Sequence, residues 1–308
     1  MSSFEIKKIL IPVDFSGTGE KVLEQAAFMS KITNAQITLV HAIDEASGRS
    51  APDYNGTILD AGETDEGKIM ECMEGNMAVL KKKLFNTGVN KIDCIIEPGI
   101  PHKKILEVAK RIKTDIIVMG THGVSGFKEF IMGSNAFKIA SESKCPVLSI
   151  QKHITKSGFK QILLPFRDKP HSREKVDYAI SIAKIYNATI HVLGISYDPD
   201  ETAVKKIQLE ADQIVRIAEA AGVKCTEEVV TESYDAKSIL AHAREKNADL
   251  LILMADLDKL ALSQFVMGPV IKQLVNHSPI PVLSIHPAYN LHPVTNAGTS
   301  VSDWTFWT

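Results

Sequence analysis

The sequence predicts an α/β protein built from two tandem domains, each of which is a doubly wound parallel sheet. Four short segments rich in Val, Ile and Leu recur in the same order in both halves of the chain, and helical patterns lie between them. Short apolar runs bounded by turn residues are typical of strands that are buried on both faces of a parallel sheet. Right-handed crossovers are expected to connect these strands.

The repeated segments indicate a tandem duplication, which decides the fold before any single motif is considered. In chain order, KKILIPVDF recurs as KQILLPFRD, AQITLVHAID as ATIHVLGIS, TDIIVMG as ADLLILMA, and CPVLSI as IPVLSI. We therefore expect four strands in each half, connected in the order β-α-β-α-β-α-β.

Amphipathic patterns between the repeated segments predict helices. Apolar residues recur at i, i+3, i+4 and i+7, the spacing of one helix face, in residues 18–32, 102–112, 172–186 and 236–246. Ser16 or Thr18 is the expected N-cap of the first helix, and Ser172 is its counterpart in the second half.

Changes in composition predict the domain organisation. A polar connector around Ser157 and Gly158 separates the halves. The predicted units are a first domain over residues 1–152, a second domain over 158–287 and an irregular tail over 288–308. The insert 45–67 of the first domain is rich in Gly, Asp and small residues, so it is expected to be a mobile loop. Trp304, Phe306 and Trp307 in the tail are expected to dock on an apolar surface.

Composition and charge exclude several functional classes. Of the 308 residues, 44% are apolar and 23% are charged, and the net charge is −2. A chain without a broad basic field is not expected to bind nucleic acid or an anionic membrane. No apolar run approaches the roughly 18 residues of a membrane-spanning helix, and the N-terminus lacks the apolar region of a signal peptide. The predicted location is the cytoplasm.

The cysteines are expected to be free thiols. Cys72, Cys94, Cys145 and Cys225 are far apart in the chain, and no C-x-x-C pair occurs. This pattern is typical of a protein from a reducing compartment. A structural zinc site is the alternative, and no ligand spacing supports it.

A glycine-rich segment after the third repeated strand is the main candidate site. The strand DIIVM ends at Gly120, and the sequence GSNAFKIA predicts a helix start, with Gly133 for backbone clearance and Ser134 in the first turn. Free N–H groups at a helix start and the helix dipole favour a phosphate group. The P-loop and dinucleotide-binding motifs are absent. From composition alone, ligand binding and plain turn geometry both remain open.

The spacing of these residues resembles a known nucleotide signature. Gly120, Gly123, Gly133 and Ser134 form the pattern G-x2-G-x9-G-[ST], which is similar to the ATP-binding signature of the universal stress protein family. The opening ILIPVDFS and the closing CPVLSI also resemble that family. The resemblance implies Rossmann-like domains of the adenine nucleotide alpha hydrolase type, and ATP as the ligand, with or without Mg²⁺.

The resemblance also implies which residues contact the nucleotide. Asp14 would hydrogen-bond the adenine or ribose, beside a pocket lining and backbone contacts to the base, and the glycines and the helix start would hold the phosphates. The implied contact residues are Pro12, Val13, Asp14, Ala42, Met119, Gly120, His122, Gly123, Gly133, Ser134 and Asn135. Two other interpretations stay open: Asp14 as the N-cap of the first helix, and His122 as an exposed loop imidazole.

The second half departs from this signature. Arg167 takes the place of Asp14, the sequence MADLDK replaces GTHG, and Pro269 replaces Ser134 after the retained Gly268. Asp256 and Asp258, in the MADLDK sequence, are expected to repel phosphate, and a proline lacks the N–H that an anion would use. The second site is therefore predicted to be degenerate. If the glycines served only the fold, the second copy would be expected to keep them.

The favoured function is that of an ATP-binding regulatory protein of the stress response, with little or slow hydrolysis. No Walker-type Lys, no dedicated carboxylate pair for Mg²⁺ and no evident general base accompany the signature. The alternatives are a nucleotide-free scaffold and, less favoured, an adenylating or pyrophosphatase-type enzyme. The resemblance implies that strands 145–150 and 280–285 meet in an intramolecular pseudo-dimer. Association of two chains into a homodimer stays open.

Overall fold

A computed structural model of the chain describes most of the residues that carry these predictions. The described residues are 4–15, 19–43, 66–121, 133–151, 154, 158–169, 173–255, 257–258 and 266–286. The predictions for His122, Gly123 and Asp256, for the side chain of Asp258, for residues 45–65 of the insert and for the tail 288–308 lie outside them.

The first half contains five strands and four helices among its described residues. In chain order these are β1 Lys8–Pro12, α1 Glu20–Thr33, β2 Gln36–Ile43, α2 Glu66–Asn86, β3 Ile92–Pro98, α3 Pro101–Ile112, β4 Ile116–Gly120, α4 Ser134–Glu142 and β5 Val147–Ile150. The four repeated segments form β1, β2, β4 and β5.

The second half repeats this order and adds a short hairpin. Its elements are β6 Gln161–Phe166, α5 Lys175–Tyr186, β7 Thr189–Ser196, α6 Glu201–Ala220, β8 Cys225–Thr231, α7 Ala236–Glu245, β9 Leu250–Met254, β10 Leu257–Asp258, β11 Val266–Met267, α8 Pro269–His277 and β12 Val282–Ile285. β10 and β11 pair antiparallel with each other and stand between β9 and α8 in the chain.

All of the described strands except β10 and β11 belong to one ten-stranded sheet, which confirms the α/β class. The strand order is β3-β2-β1-β4-β5-β12-β9-β6-β7-β8. Neighbouring strands within each half are parallel, whereas β5 and β12 pair antiparallel with Leu148 opposite Leu283. The two halves therefore share one sheet, and they meet through the last strand of each half.

One of the predictions for local structure was wrong. Each half has five principal strands among its described residues instead of four, because β3 and β8 follow long helices (α2 and α6) that the repeat had not revealed. The predicted N-caps Ser16, Thr18 and Ser172 lie outside the described residues. Gly19 and Glu174 immediately precede α1 and α5.

Two helix layers cover the sheet. The α1 layer (α1, α2, α5 and α6) packs on the face that carries Ile9 and Ile11, and the α3 layer (α3, α4, α7 and α8) packs on the face that carries Leu10. This division follows from the period of two along a strand. Each layer contains buried residues from both halves, so the hydrophobic core is continuous across the β5–β12 junction.

Aromatic side chains join the halves within the α1 layer. The ring of Tyr186 in α5 stacks on Phe28 in α1 with 5.8 Å between centroids. Gln25 donates from Nε2 to the Tyr186 hydroxyl (3.3 Å) and accepts from the Gly158 N–H (3.0 Å). Burial raises the pKa of the Tyr186 hydroxyl, so it stays protonated as part of this contact.

Three further predictions concern membrane-spanning helices, the cysteines and metal sites. None of the helices that the structure describes is both long and apolar enough to span a membrane. The cysteines at positions 72, 94, 145 and 225 are free thiols, as expected. No group of His, Cys, Asp and Glu side chains within the described part of the chain has a metal-binding arrangement.

Candidate functional site

The candidate site lies at the carboxyl edge of the first-half sheet, where ligands of parallel α/β sheets bind. β1 pairs in parallel with β2 on one side and with β4 on the other, so the three strands end at the same edge. The period of two places Pro12, Ala42 and Met119 on the side of the α3 layer. We call this edge, together with the starts of α3 and α4, the edge crevice.

A short turn after β1 carries Asp14 to this edge. The Val13 N–H donates to the Val40 carbonyl (2.9 Å), and Nδ1 of His41 hydrogen-bonds the Val13 carbonyl (2.8 Å). Phe15 adopts a left-handed backbone conformation (φ 58°) and packs its ring on His41, 4.5 Å between centroids. His41 therefore fixes the turn on both sides of Asp14.

Burial lowers the pKa of His41, and the Val13 carbonyl and the Asp14 carboxylate oppose this effect. The imidazole is therefore neutral in the folded protein near pH 7, with the Nδ1 proton donated to the Val13 carbonyl. A neutral ring holds the turn without placing a positive charge beside the Asp14 carboxylate. The turn thus suits a carboxylate that accepts a hydrogen bond from a ligand in the edge crevice.

The alternative role of Asp14 as a helix cap depends on residues 16–18, which lie outside the described residues. Gly19 immediately precedes α1, five positions after Asp14. Asp14 is partly exposed at the strand end, as a ligand contact requires.

Backbone hydrogen bonds bring the start of α4 back to the end of β4. The Thr121 N–H donates to the Ile150 carbonyl (3.2 Å), and the Gly133 N–H donates to the Thr121 carbonyl (2.9 Å). Gly133 is the N-cap of α4, and its carbonyl accepts from the Phe137 N–H at 2.9 Å. Gly120 and Gly133 are thereby brought together at one strand end, as the spacing predicted.

Neither the backbone conformation nor the packing explains the glycine at position 133. Its φ of −56° and ψ of 146° are accessible to any residue. Among the described residues, a Cβ placed on Gly133 would meet no other heavy atom within 4 Å. No described residue therefore fills the space beside this helix start, and a glycine here suits an approaching group better than it suits the packing of the described residues.

The start of α4 offers unpaired donors to this space. Ser134 and Asn135 are exposed, the first turn carries no acidic residue, and no side chain caps the helix. The first N–H groups of a helix have no acceptor within the helix, and the dipole adds partial positive charge there. This arrangement fits an anionic oxygen, and a phosphate group in particular.

The second half keeps the framework of this site. The Ala255 N–H donates to the Ile285 carbonyl (2.7 Å), in the way that Thr121 donates to Ile150 in the first half. Gly268 is the N-cap of α8 with φ −57° and ψ 153°, close to the angles at Gly133. Pro269 then begins α8 without an N–H group. The backbone geometry is the same in both halves, while one donor is lost in the second.

Larger side chains line the corresponding edge of the second half. Strand pairing places Ile195 at the position of Ala42, and Ile195 is buried in the α3 layer. Phe166, at the position of Val13, is buried in the α1 layer on the other face of the sheet. Lys175, which is 1% exposed, donates to the Pro165 carbonyl at 2.5 Å. The Arg167 guanidinium lies over the ring of Tyr234, 4.5 Å from its centroid. The second crevice is therefore occupied by its own side chains.

Sequence reasoning missed three polar residues of the edge crevice. His41 and Thr121 follow apolar runs in strand segments, and His102 opens the helical pattern of α3, so the sequence shows each only as part of an element. A polar side chain among buried residues was the available signal, because such a group needs a partner. His102 is 6% exposed and Thr121 is 1% exposed.

Comparison with known proteins finds the same family twice along the chain. The universal stress protein family matches residues 5–151 and again residues 158–286. A universal stress protein of Methanocaldococcus jannaschii is 31% identical over 155 residues, which cover 47% of this chain and 95% of that protein. Universal stress protein YxiE of Bacillus subtilis is 30% identical over 147 residues, which cover 47% of this chain and 98% of that protein.

A solved structure extends the similarity to both halves. A universal stress protein from Archaeoglobus fulgidus superposes on 92% of this chain, and on 97% of its own, with a TM-score of 0.71. Its 22% identity supports the fold alone. Because two successive family matches together span most of the sequence, the chain belongs to the universal stress protein family as a tandem member.

Proposed function

We propose that the first half binds ATP in the edge crevice and that the bound nucleotide regulates the protein in the stress response. The second half serves as the structural partner of the first and binds no nucleotide. The open space beside Gly133, at an uncapped helix start without acidic residues, is the observation that carries this proposal.

The phosphates are assigned to the start of α4. The N–H groups of Ser134 and Asn135 and the Ser134 hydroxyl would donate to phosphate oxygens, and Gly120 and Gly133 would let the backbone approach them. His122 and Gly123 belong to the same predicted contact set through the family signature.

The nucleoside is assigned to the ends of β1 and β2. Asp14 would accept a hydrogen bond from the ribose or the adenine, and Pro12, Val13, Ala42 and Met119 would line the pocket. Each of these residues lies at or beside a strand end of the edge crevice. ATP would bind with or without Mg²⁺, and the scarcity of carboxylates near α4 favours slow hydrolysis at most.

The proposal includes the organisation of the whole chain. We assign a nucleotide-binding domain to residues 1–152, a degenerate domain to 158–287 and an irregular tail to 288–308. The antiparallel pairing of β5 with β12 supports an intramolecular pseudo-dimer, and a homodimer of two chains remains a further assembly to test. The free thiols support a reducing compartment, the cytoplasm.

Thermal unfolding with added ATP tests the proposal through Gly133→Val. In the wild type, free ATP at 100 times the Kd should stabilise the fold by about 2.7 kcal/mol. The valine adopts the same backbone angles without strain, so the unliganded variant should melt close to the wild type. Its branched side chain enters the open space and should abolish most of the ATP-dependent shift.

Gly75→Val is the matched control. A Cβ at Gly75 also meets nothing within 4 Å, and Gly75 lies in α2, away from the start of α4. This variant should keep the full shift with ATP. Equal shifts in the wild type and in Gly133→Val would place the nucleotide elsewhere, and no shift in any protein would favour a nucleotide-free scaffold. Rapid release of phosphate or pyrophosphate would favour the enzyme alternative.

A further inference from the structure

The start of α3 forms the second wall of the edge crevice. The Gly99 N–H donates to the Ile43 carbonyl at 2.8 Å, which ties the turn after β3 to the end of β2. α3 then begins at Pro101 without a side-chain cap and without an acidic residue in its first turn. Two uncapped helix starts, those of α3 and α4, therefore meet the same edge of the sheet.

His102 is the polar side chain at this helix start. It is 6% exposed, and its Nδ1 is buried with no hydrogen-bond partner among the residues that the structure describes. His102 shares a helix face with Ile105 and Ala109, which pack in the α3 layer. Because helical side chains lean toward the N-terminus of their helix, the imidazole is directed past the start of α3 toward the strand ends.

In the second half, the helix start that corresponds to α3 is capped by a side chain of the same helix start. When Ile105 is aligned with Ile239, His102 corresponds to Ala236, and Pro101 corresponds to Asp235. Asp235 caps α7 by accepting from the Ser238 N–H at 2.9 Å. The second half thus has an internally capped helix and a small apolar residue at this position, whereas the first half has a helix start without a side-chain cap and an imidazole whose Nδ1 has no partner among the described residues.

We propose that His102 contacts the nucleoside part of the bound nucleotide, with Nδ1 hydrogen-bonding the ribose or the base. This inference rests on the proposed function. It assigns His102 to the nucleoside because α3 begins beside β2, and β1 lies between β2 and β4. Two strand spacings are about 10 Å, which separates His102 from phosphates held at α4 by roughly the length of a nucleoside.

Two substitutions of His102 test this assignment, with Kd values for adenosine, AMP, ADP and ATP measured by calorimetry. His102→Leu removes the ring nitrogens and should weaken all four ligands by the same factor, on the order of 10-fold, the effect of one lost hydrogen bond. His102→Asn places an amide near the position of Nδ1 and should recover most of the affinity. Ile105→Val, on the same face of α3, should leave all four values unchanged.

Unliganded stability separates a binding role from a structural one. Since Nδ1 has no partner in the described protein, His102→Leu should melt at or above the temperature of the wild type. A lower melting temperature together with unchanged Kd values would make His102 a packing residue and overturn the inference. A loss of affinity that grows with the number of phosphates would overturn it as well, because His102 would then act on the phosphate end.

The failure of this inference differs from the failure of the proposed function. If the wild type binds ATP and both His102 variants bind all four ligands equally well, the inference alone is wrong. If the wild type binds none of the four, the proposed function is wrong, and the inference is overturned with it.

Discussion

His41 holds the turn after β1, at the proposed nucleoside end of the edge crevice, through one hydrogen bond. Its Nδ1 binds the Val13 carbonyl, and Phe15 covers the ring from the other side. This side chain, which belongs to β2, is partly buried. A neutral imidazole satisfies this geometry, whereas a protonated one would place a second N–H in apolar surroundings.

The lowered pKa of His41 makes stability depend on pH. The ordinary value is 6.5, and burial holds the folded value below it. As pH falls below 6.5, the unfolded chain binds a proton that the folded chain still refuses, so the free energy of unfolding decreases. Above pH 6.5 this contribution is fully present. Burial lowers the pKa of His191 and His286 in the same direction.

We predict that His41→Asn reduces this pH dependence. The asparagine amide can donate to the Val13 carbonyl but does not titrate, so one of three histidine contributions should disappear. Chemical denaturation at pH 7.5 and at pH 5.5 gives the free energy of unfolding at each pH. The difference between the two values should be smaller in the variant than in the wild type. If the wild type and the variant showed the same difference between pH 7.5 and pH 5.5, His41 would have the same pKa in the folded and unfolded chains.

Residues whose role depends on backbone geometry could be predicted from the sequence. Gly133 and Ser134 were identified because a glycine before a helix start has a physical meaning that does not depend on neighbours. His41 and His102 could not be identified in this way. The importance of His41 comes from a partner distant in the chain, the Val13 carbonyl, and that of His102 from a buried Nδ1 without a partner among the described residues.

Among the elements, α4 and α8 form a natural comparison. Their N-cap glycines have nearly the same backbone angles, and both helices contain nine residues. α8 begins with Pro269 and α4 begins with Ser134. α8 therefore demonstrates that a proline is compatible with this helix start.

We predict that Ser134→Pro folds normally and binds ATP more weakly. The variant loses one N–H and one hydroxyl at the phosphate end, and hydrogen bonds to charged groups contribute about 1.5–3 kcal/mol. The Kd for ATP should rise by about 10- to 100-fold. The Kd for adenosine should not change, because the proposal assigns the nucleoside to β1 and β2. Calorimetric titration with both ligands measures this.

The reciprocal substitution is the control for this prediction. Pro269→Ser restores the donors of α8, but Ile195 and the stacked pair of Arg167 and Tyr234 still occupy the second crevice. It should therefore create no second ATP site, and the stoichiometry should remain one. If Ser134→Pro weakened adenosine as much as ATP, the phosphates would not lie at α4.

The outer strands show where sequence patterns lose information about elements. β3 and β8 each have a neighbour on one side only, and their polar residues include Asp93, Glu97, Glu227 and Glu228. The inner strands are buried on both faces and read as apolar runs in both halves. Edge strands are more exposed, so their sequences need not be apolar runs. The repeated apolar segments therefore predicted the central strands of the sheet and not its two edge strands.

At the scale of the whole molecule, the junction between halves is part of the core. Leu148 and Leu283 are opposite each other in the β5–β12 pair, and both are 1% exposed. Nε2 of His286 hydrogen-bonds the Ser141 carbonyl at 2.9 Å, which links the end of β12 to the last turns of α4. The end of α4 opposite its proposed phosphate contacts thus touches the second half.

We predict that the two halves unfold as one cooperative unit. Leu148→Ala should destabilise the fold by about 2–5 kcal/mol, the usual effect of such a truncation in a core. Since both helix layers continue across the junction, the loss should appear in both halves. Hydrogen exchange monitored by mass spectrometry should show lower protection in β1 and β6 to the same extent. Loss of protection in β1, with β6 retaining the protection of the wild type, would show that each half folds on its own core and that the shared sheet is only a contact between them.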